Sequence, residues 1–304
     1  MGKLISFVLL ASILFTSCGR SIEEQRRISK EERQRLHRED SLALKIAVMP
    51  TLDCLPLYLA KEEHYFDTLG VDIRLKRFNA QMDCDTALAG MCADGAVTDL
   101  VRALRLQKKG IPLHFATSTN AYWILTANHK ARLKRRDQLG DKMIAMTRYS
   151  ATDFFTDKAL HGVKTSAQVF KIQINDVNIR LSMLLNNETD ALWLTEPQAT
   201  IATAAGHGQL YDSRETGISL GTIAFNKKKI SDKRRQHQLK AFLTAYNRAC
   251  DSISSRGLAH YTGILSKYYG LTAKQIQSLP PIKFPHATSP RPADVTSAEQ
   301  WLNQ

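Results

Sequence analysis

The chain has 304 residues, of which 43% are hydrophobic and 23% charged, and carries a formal net charge of +13 at pH 7. That apolar content is ordinary for a packed globular body and excludes a wholly disordered or fibrous chain. The basic excess raises a nucleic-acid reading, but the runs Lys134-Arg135-Arg136, Lys227-Lys228-Lys229 and Lys233-Arg234-Arg235 lack aromatic interleaving or a recognisable binding module, so no nucleic acid is expected as partner.

In chain order, Lys3 precedes an apolar run from Leu4 to Phe15, the length of a signal-peptide core and too short to span a bilayer. The run ends in Phe15-Thr16-Ser17-Cys18-Gly19, which resembles a bacterial lipobox, with Phe15 where leucine is usual. The expectation is a lipoprotein signal peptide over residues 1–18, lipidation of Cys18, and a body held in the periplasm or at the cell surface by its lipid. In that compartment a basic surface meets anionic lipid headgroups or envelope polymers, or concentrates anionic ligands. Residues 19–41 are dominated by Arg, Glu, Gln and Lys, with opposite charges at helical spacing, as in Glu24 with Arg27 and Glu32 with Arg35. They read as a charged tether.

From residue 42 short apolar strands alternate with helices. Leu44 to Met49 reads as a strand, about Cys54 to Phe66 as a helix with Pro56 in its first turn, and Val71 to Lys76 as a strand with Val71, Ile73 and Leu75 on one face. A short helix ends near Gly90; Gly95 to Asp99 is a strand running into a helix that Lys108-Lys109-Gly110 stops, and Leu113 to Ala116 is a strand. This β-α-β-α-β order predicts a parallel sheet covered by helices. After Asn120 the same grammar restarts, with strands at Trp123 to Ala127, Met143 to Met146, Phe170 to Ile174 and Ala191 to Leu194. The helix opening at Asp176 carries the stripe Val177, Leu181, Leu184 and Leu185. An apolar strand follows near Gly217 to Phe225, then a long helix from Ser231 whose face of Leu239, Phe242, Leu243, Tyr246, Cys250 and Ile253 is expected to pack on the first lobe. Pro280-Pro281 breaks the C-terminal part, which ends in a short helix around Trp301. Beyond Cys18, the cysteines Cys54, Cys84, Cys92 and Cys250 form no CxxC pair; Cys84 and Cys92 stand best for one disulfide, with free buried thiols as the alternative.

The order and separation of four short segments carry a resemblance. They are Asp53-Cys54-Leu55-Pro56-Leu57 after the first strand, Thr98-Asp99 ending the third, Arg148-Tyr149-Ser150-Ala151-Thr152 in the second half, and Glu196-Pro197-Gln198-Ala199. Leu44 to about Phe225 resembles the nitrate, sulfonate, taurine and thiamine-precursor group of ABC-transporter substrate-binding proteins. The resemblance implies an α/β type II periplasmic-binding-protein fold, with one lobe from residues 42–118 plus 222–304, a second from 119–221, and a ligand cleft between them. It also implies a small-molecule ligand, an ABC permease and ATPase as partners, a membrane reached through the lipid anchor, and no catalysis, cofactor or metal.

In open parallel sheets ligands sit beyond the carboxyl ends of strands, where each of these segments falls. Asp53, with Cys54 and Leu55, either lines the cleft or merely caps a helix; the same two readings hold for Thr98 and Asp99. Ser150, three residues before Asp153, makes a capping-box-like helix start through Ala151 and Thr152, where backbone N–H groups and the Arg148 fork would hold an anion. Glu196 either binds a ligand amine or complements its own helix dipole. Among aromatics, Tyr149 at a loop has a better claim to stack on a heterocycle than Trp193 inside a strand, with Tyr122 and Trp123 as further candidates. Tyr149 suits a pyrimidine and Arg148 a small anion, leaving both ligand classes open. The alternatives to transport are an enzyme of this fold, from thiamine-pyrimidine or menaquinone synthesis, and a ligand-free envelope scaffold. Neither enzyme fits an exported chain without the synthases' cysteine-rich stretch, and no HExxH helix or phosphate-binding loop is present.

Overall fold

The computed structural model describes residues 22–304, so Lys3, the run Leu4 to Phe15 and Cys18 lie outside the described residues. The chain divides into two units, residues 1–43 and 44–304. In the first, Ile22–Leu42 is helix α1. Its residues 29–39 are exposed all round, and Arg35 pairs with Glu39, one turn apart at 3.6 Å.

The second unit contains β1 (Leu44–Val48), α2 (Leu55–Glu62), α3 (Tyr65–Thr68), β2 (Ile73–Arg77), α4 (Gln81–Ala89), β3 (Gly95–Asp99), α5 (Leu100–Lys108) and β4 (Leu113–Ser118). Then come β5 (Ile124–Ala127), β6 (Met143–Met146), α6 (Ala151–Leu160), β7 (Phe170–Gln173), α7 (Val177–Leu185), β8 (Ala191–Leu194), α8 (Gln198–Ala204) and β9 (Gly208–Asp212). The chain closes with β10 (Gly221–Asn226), α9 (Lys233–Arg256), α10 (Thr262–Tyr269), α11 (Ala273–Gln277) and α12 (Pro292–Leu302). The helix expected over Cys54 to Phe66 breaks at His64, which adopts φ 55°.

The strands form two five-stranded sheets, ordered β2-β1-β3-β10-β4 and β7-β6-β8-β5-β9. The expectation of parallel sheets needs one correction. β1, β2 and β3 pair in parallel, as do β6 with β7 and β8, but β10 runs antiparallel between β3 and β4, and β5 antiparallel between β8 and β9. β10 returns to the first sheet only after the second is complete, so the chain crosses between sheets after β4 and again before β10. Gly95 allows this insertion: a Cβ there would lie 2.6 Å from the Phe225 ring. This is a two-sheet α/β architecture, as the sequence predicts.

One core holds Leu44, Ile46 and Val48 from β1 against Phe242, Tyr246 and Ile253 of α9. A second joins Leu100, Val101 and Leu104 of α5 to Phe154, Phe155 and Trp193. Trp193 is wholly buried and donates to Thr156 Oγ1 at 2.8 Å, the core role its strand position suggests. The last helix closes over this second core, with the Trp301 ring edge-on to Phe154 at 5.9 Å and its Nε1 donating to Asp157. Cys54, Cys84, Cys92 and Cys250 are free, with Cys84 buried and Cys92 exposed, so no disulfide staples the described residues.

Candidate functional site

A cavity of about 50 Å³ lies between the sheets, lined by residues that follow the carboxyl ends of the parallel strands. Met49, Thr51 and Asp53 follow β1, Gln81 opens α4 after β2, and Thr98 and Asp99 end β3. From the second sheet come Thr147, Ser150 and Thr152 after β6, Val177 and Arg180 on α7 after β7, and Thr195 after β8; Trp123 adds one aromatic face from the crossing segment. This is where the field of open strand ends and helix starts converges. The volume holds a few waters or the head group of a small ligand.

Arg180 dominates the electrostatics. It lies on the inner stripe of α7, is 4% exposed, and is anchored only by long bonds from Nη1 to Thr147 Oγ1 and to the Ile174 carbonyl, each 3.3 Å. Its Nε has no partner. Burial pulls the guanidinium down to about 10, against the opposing pull of Asp176. A cation this far from neutralisation is costly in an apolar interior unless something anionic completes it. Across the cavity the Thr98 hydroxyl is likewise buried without a partner.

Two carboxyls complete the wall. Asp53 accepts from Thr51 Oγ1 at 2.6 Å and Thr119 Oγ1 at 3.2 Å, and burial pushes it above the usual carboxylate range despite those bonds. Asp99 caps α5 by accepting from Arg102 N at 2.9 Å; burial outweighs the nearby Arg102 and lifts it to about 6. Ser150 is the N-cap of α6, accepting from Thr152 N at 3.1 Å and donating to the Thr147 carbonyl at 2.7 Å. Asp153 reaches back to Tyr149 N at 2.9 Å, one residue earlier than a capping box.

Of the sequence candidates, Asp53, Thr98, Asp99, Ser150 and Thr152 meet in this cavity. Cys54, Leu55 and Ala151 are wholly buried beside it and supply packing; Cys54 Sγ accepts from Met49 N. Arg148 and Tyr149 stand outside, in a shallow recess with Asp157, Lys171 and Trp301. Tyr149 is 48% exposed at φ 52°, and the guanidinium over its ring, 4.3 Å away, is that of Arg105. Glu196 is also outside: its carboxylate is consumed by Tyr122 Oη at 3.1 Å and by the Thr200 N–H and hydroxyl. Arg180, Thr51, Thr147 and Thr195 were not singled out by the sequence reading.

Main-chain and side-chain bonds bridge the two halves around the cavity. Leu52 N donates to the Glu196 carbonyl at 2.8 Å, Gln198 Nε2 to the Pro50 carbonyl at 2.8 Å, and Val177 N to the Asn79 carbonyl at 3.1 Å. These bonds tie the two sheets together over the cavity.

A family model described as NMT1/THI5 like matches residues 51–256. No curated protein matches the chain. Among solved structures, the alkanesulfonate-binding protein SsuA from Xanthomonas axonopodis pv. citri, bound to MOPS, aligns at TM-score 0.71 and 18% identity over 86% of this chain and 90% of that one. The periplasmic aliphatic sulphonate binding protein SsuA from Escherichia coli aligns at 0.68 and 17% over 86% and 87%, and the periplasmic nitrate-binding protein NrtA from Synechocystis at 0.66 and 15% over 77% and 68%. At these identities the likeness is one of fold: two α/β lobes of the periplasmic-binding type.

Proposed function

The chain belongs to the NMT1/THI5-like family, and from that premise we propose that it is the solute-binding component of an ABC importer, capturing a small sulfonate-like organic oxyanion. One observation carries the reading: the buried Arg180, its Nε unpartnered, shares the cavity wall with the hydroxyls of Thr98, Thr147, Ser150 and Thr152 and is its one cation, opposite the carboxyls of Asp53 and Asp99. A planar guanidinium and hydroxyl donors together match the three oxygens of a sulfonate, and a permanently charged arginine needs no proton to do so. Lobe 1 (residues 42–118 and 222–304) and lobe 2 (119–221) open about the crossings and close on the guest. An ABC permease and its ATPase receive it. The chain performs no chemistry, and acylated Cys18 holds it at a membrane while residues 19–41 act as spacer.

The experiment is calorimetric titration of the purified protein with a short alkanesulfonate, nitrate and a hydroxymethylpyrimidine, beside an assay for turnover. Saturable binding of the sulfonate is expected. Binding of the pyrimidine alone, supported by Trp123 in the cavity wall, would move the assignment to a thiamine precursor; turnover would overturn the binding reading altogether.

Acidity tests the same geometry. Asp99, pushed up to about 6 by burial, is negative at pH 8 and neutral at pH 5, while a sulfonate keeps its charge throughout. Protonation removes a negative charge from the wall, so affinity should rise as pH falls through about 6, by about tenfold for each unit by which the bound anion raises Asp99 further. Affinity that falls over that interval would mean that Asp99 accepts a hydrogen bond from the ligand.

A further inference from the structure

We propose that the end of the first sheet opposite the cleft is a docking surface for anionic phospholipid headgroups, formed by Lys227, Lys228, Lys229 and Lys233. β10 runs antiparallel to β3 and β4, so its last residue, Asn226, lies beside Leu113 at the amino ends of the other strands, away from the cavity. The three lysines follow it directly, with Lys227 N donating to the Pro112 carbonyl at 2.8 Å, and Lys233 opens α9. All four side chains are exposed or half-exposed, and none forms an ion pair among the described residues. Asp232, next to Lys233 in the chain, caps α9 by accepting from Arg235 N at 2.8 Å, and Asp94 is buried.

The choice of partner follows from where the chain enters this surface. Asp94 knots the base, exchanging main-chain and side-chain bonds with Lys45, accepting from Asn226 N at 2.9 Å and pairing with Arg235 at 3.5 Å. Lys45 is two residues past Ala43, where the first unit ends. The lysines therefore follow β10 at the same end of the sheet at which β1 begins. Met91, 52% exposed on the turn just before Asp94, adds an apolar contact to the same end. Basic side chains around an exposed apolar one are the composition that adheres to an anionic bilayer surface. Held this way, the cleft points into solvent, the orientation for capture.

The proposal rests on the transport reading only for bringing the body to a bilayer, and its test removes that dependence. The chain from residue 19 onward, without the apolar run Leu4 to Phe15 and without lipid, is sedimented with vesicles of phosphatidylcholine and with vesicles containing about 30% phosphatidylglycerol. Binding is expected only to the anionic vesicles. K227Q/K228Q/K229Q should bind roughly 100-fold more weakly, at about fivefold per lysine, whereas K130Q/K134Q/K164Q, the same charge change on the second lobe, should bind as the parent does. Equal binding by the two triple variants, or no preference for anionic vesicles, would overturn it. Capture on heparin without vesicle binding would overturn it too, by assigning the surface to a soluble polyanion. Sulfonate affinity should be unchanged in both variants, so failure here and failure of the transport reading are separately visible.

Discussion

Arg180→Leu is expected to weaken sulfonate capture by about 100-fold or more while leaving the ligand-free protein as stable as before, or more so. The two effects have one cause. Removing one partner of a desolvated charge pair costs about 2–5 kcal/mol of binding, and Arg180 is the cavity's one lining cation. In the ligand-free protein the same guanidinium is a burden, held by two bonds of 3.3 Å with Nε unpartnered, and burial has already drawn it down to about 10. Replacing such a charge by an apolar side chain of similar reach relieves that burden. Calorimetry would read the first effect and thermal melting the second. Arg180→Lys should fall between parent and leucine variant in affinity, since an ammonium keeps the charge but loses the planar fork. Undiminished binding by Arg180→Leu would remove Arg180 from the site. A large drop in melting temperature would give it a structural role instead.

The position of Arg180 on its helix is legible in the sequence. Of the apolar stripe expected on α7, Val177 and Leu184 are buried and Leu181 half-buried, whereas Leu185 is 39% exposed. Arg180 lies three residues after Val177 and four before Leu184, so helical spacing alone puts it on that inner face. A charged residue on a buried stripe is the anomaly that marks a site, and counting only the apolar positions hid it. Arg148 attracted attention because it adjoins a helix N-terminus. Yet Tyr149 turns into the left-handed region at φ 52°, which swings both side chains out of the cleft. Single-residue backbone reversals of this kind leave little trace in composition.

The fold was more legible than the site because alternating strands and helices write their periods into the chain over many residues. Strands β1, β3, β6 and β8 fall within a residue or so of their expected bounds. The antiparallel insertion of β10 was not legible, since pairing partners separated by more than a hundred residues leave no local pattern. Gly221, which opens that strand, is the nearest thing to a signal. A Cβ there would collide with Thr119 Oγ1 and lie 2.7 Å from Ala121 Cβ, so the two crossings can pass each other only at a glycine.

The largest stability effect is expected not at the cavity but directly behind it, in Asp85→Leu. Asp85 on α4 is 7% exposed and accepts from Arg102 Nε at 2.5 Å; Arg102 is 4% exposed, and its Nη1 reaches the Arg148 carbonyl at 3.3 Å, tying α5 to the second sheet's loop. Burial raises the Asp85 carboxyl by more than Arg102 draws it back, so desolvation outweighs attraction at this pair. Breaking such a pair on one side strands the other charge, at about 3–5 kcal/mol. In a body of this size that corresponds to a melting temperature lower by roughly 10 °C. Adding Arg102→Met to Asp85→Leu should restore most of the loss, because an apolar pair of similar volume has no desolvation to offset. Arg102 and Arg180 thus make a matched comparison within one molecule. The first guanidinium is completed by the chain itself, so its removal alone, stranding Asp85, should lower stability. The second awaits a guest, so its removal should spare stability and abolish capture. If the double variant at positions 85 and 102 melts as low as Asp85→Leu alone, the pair acts through geometry that hydrophobic volume cannot replace.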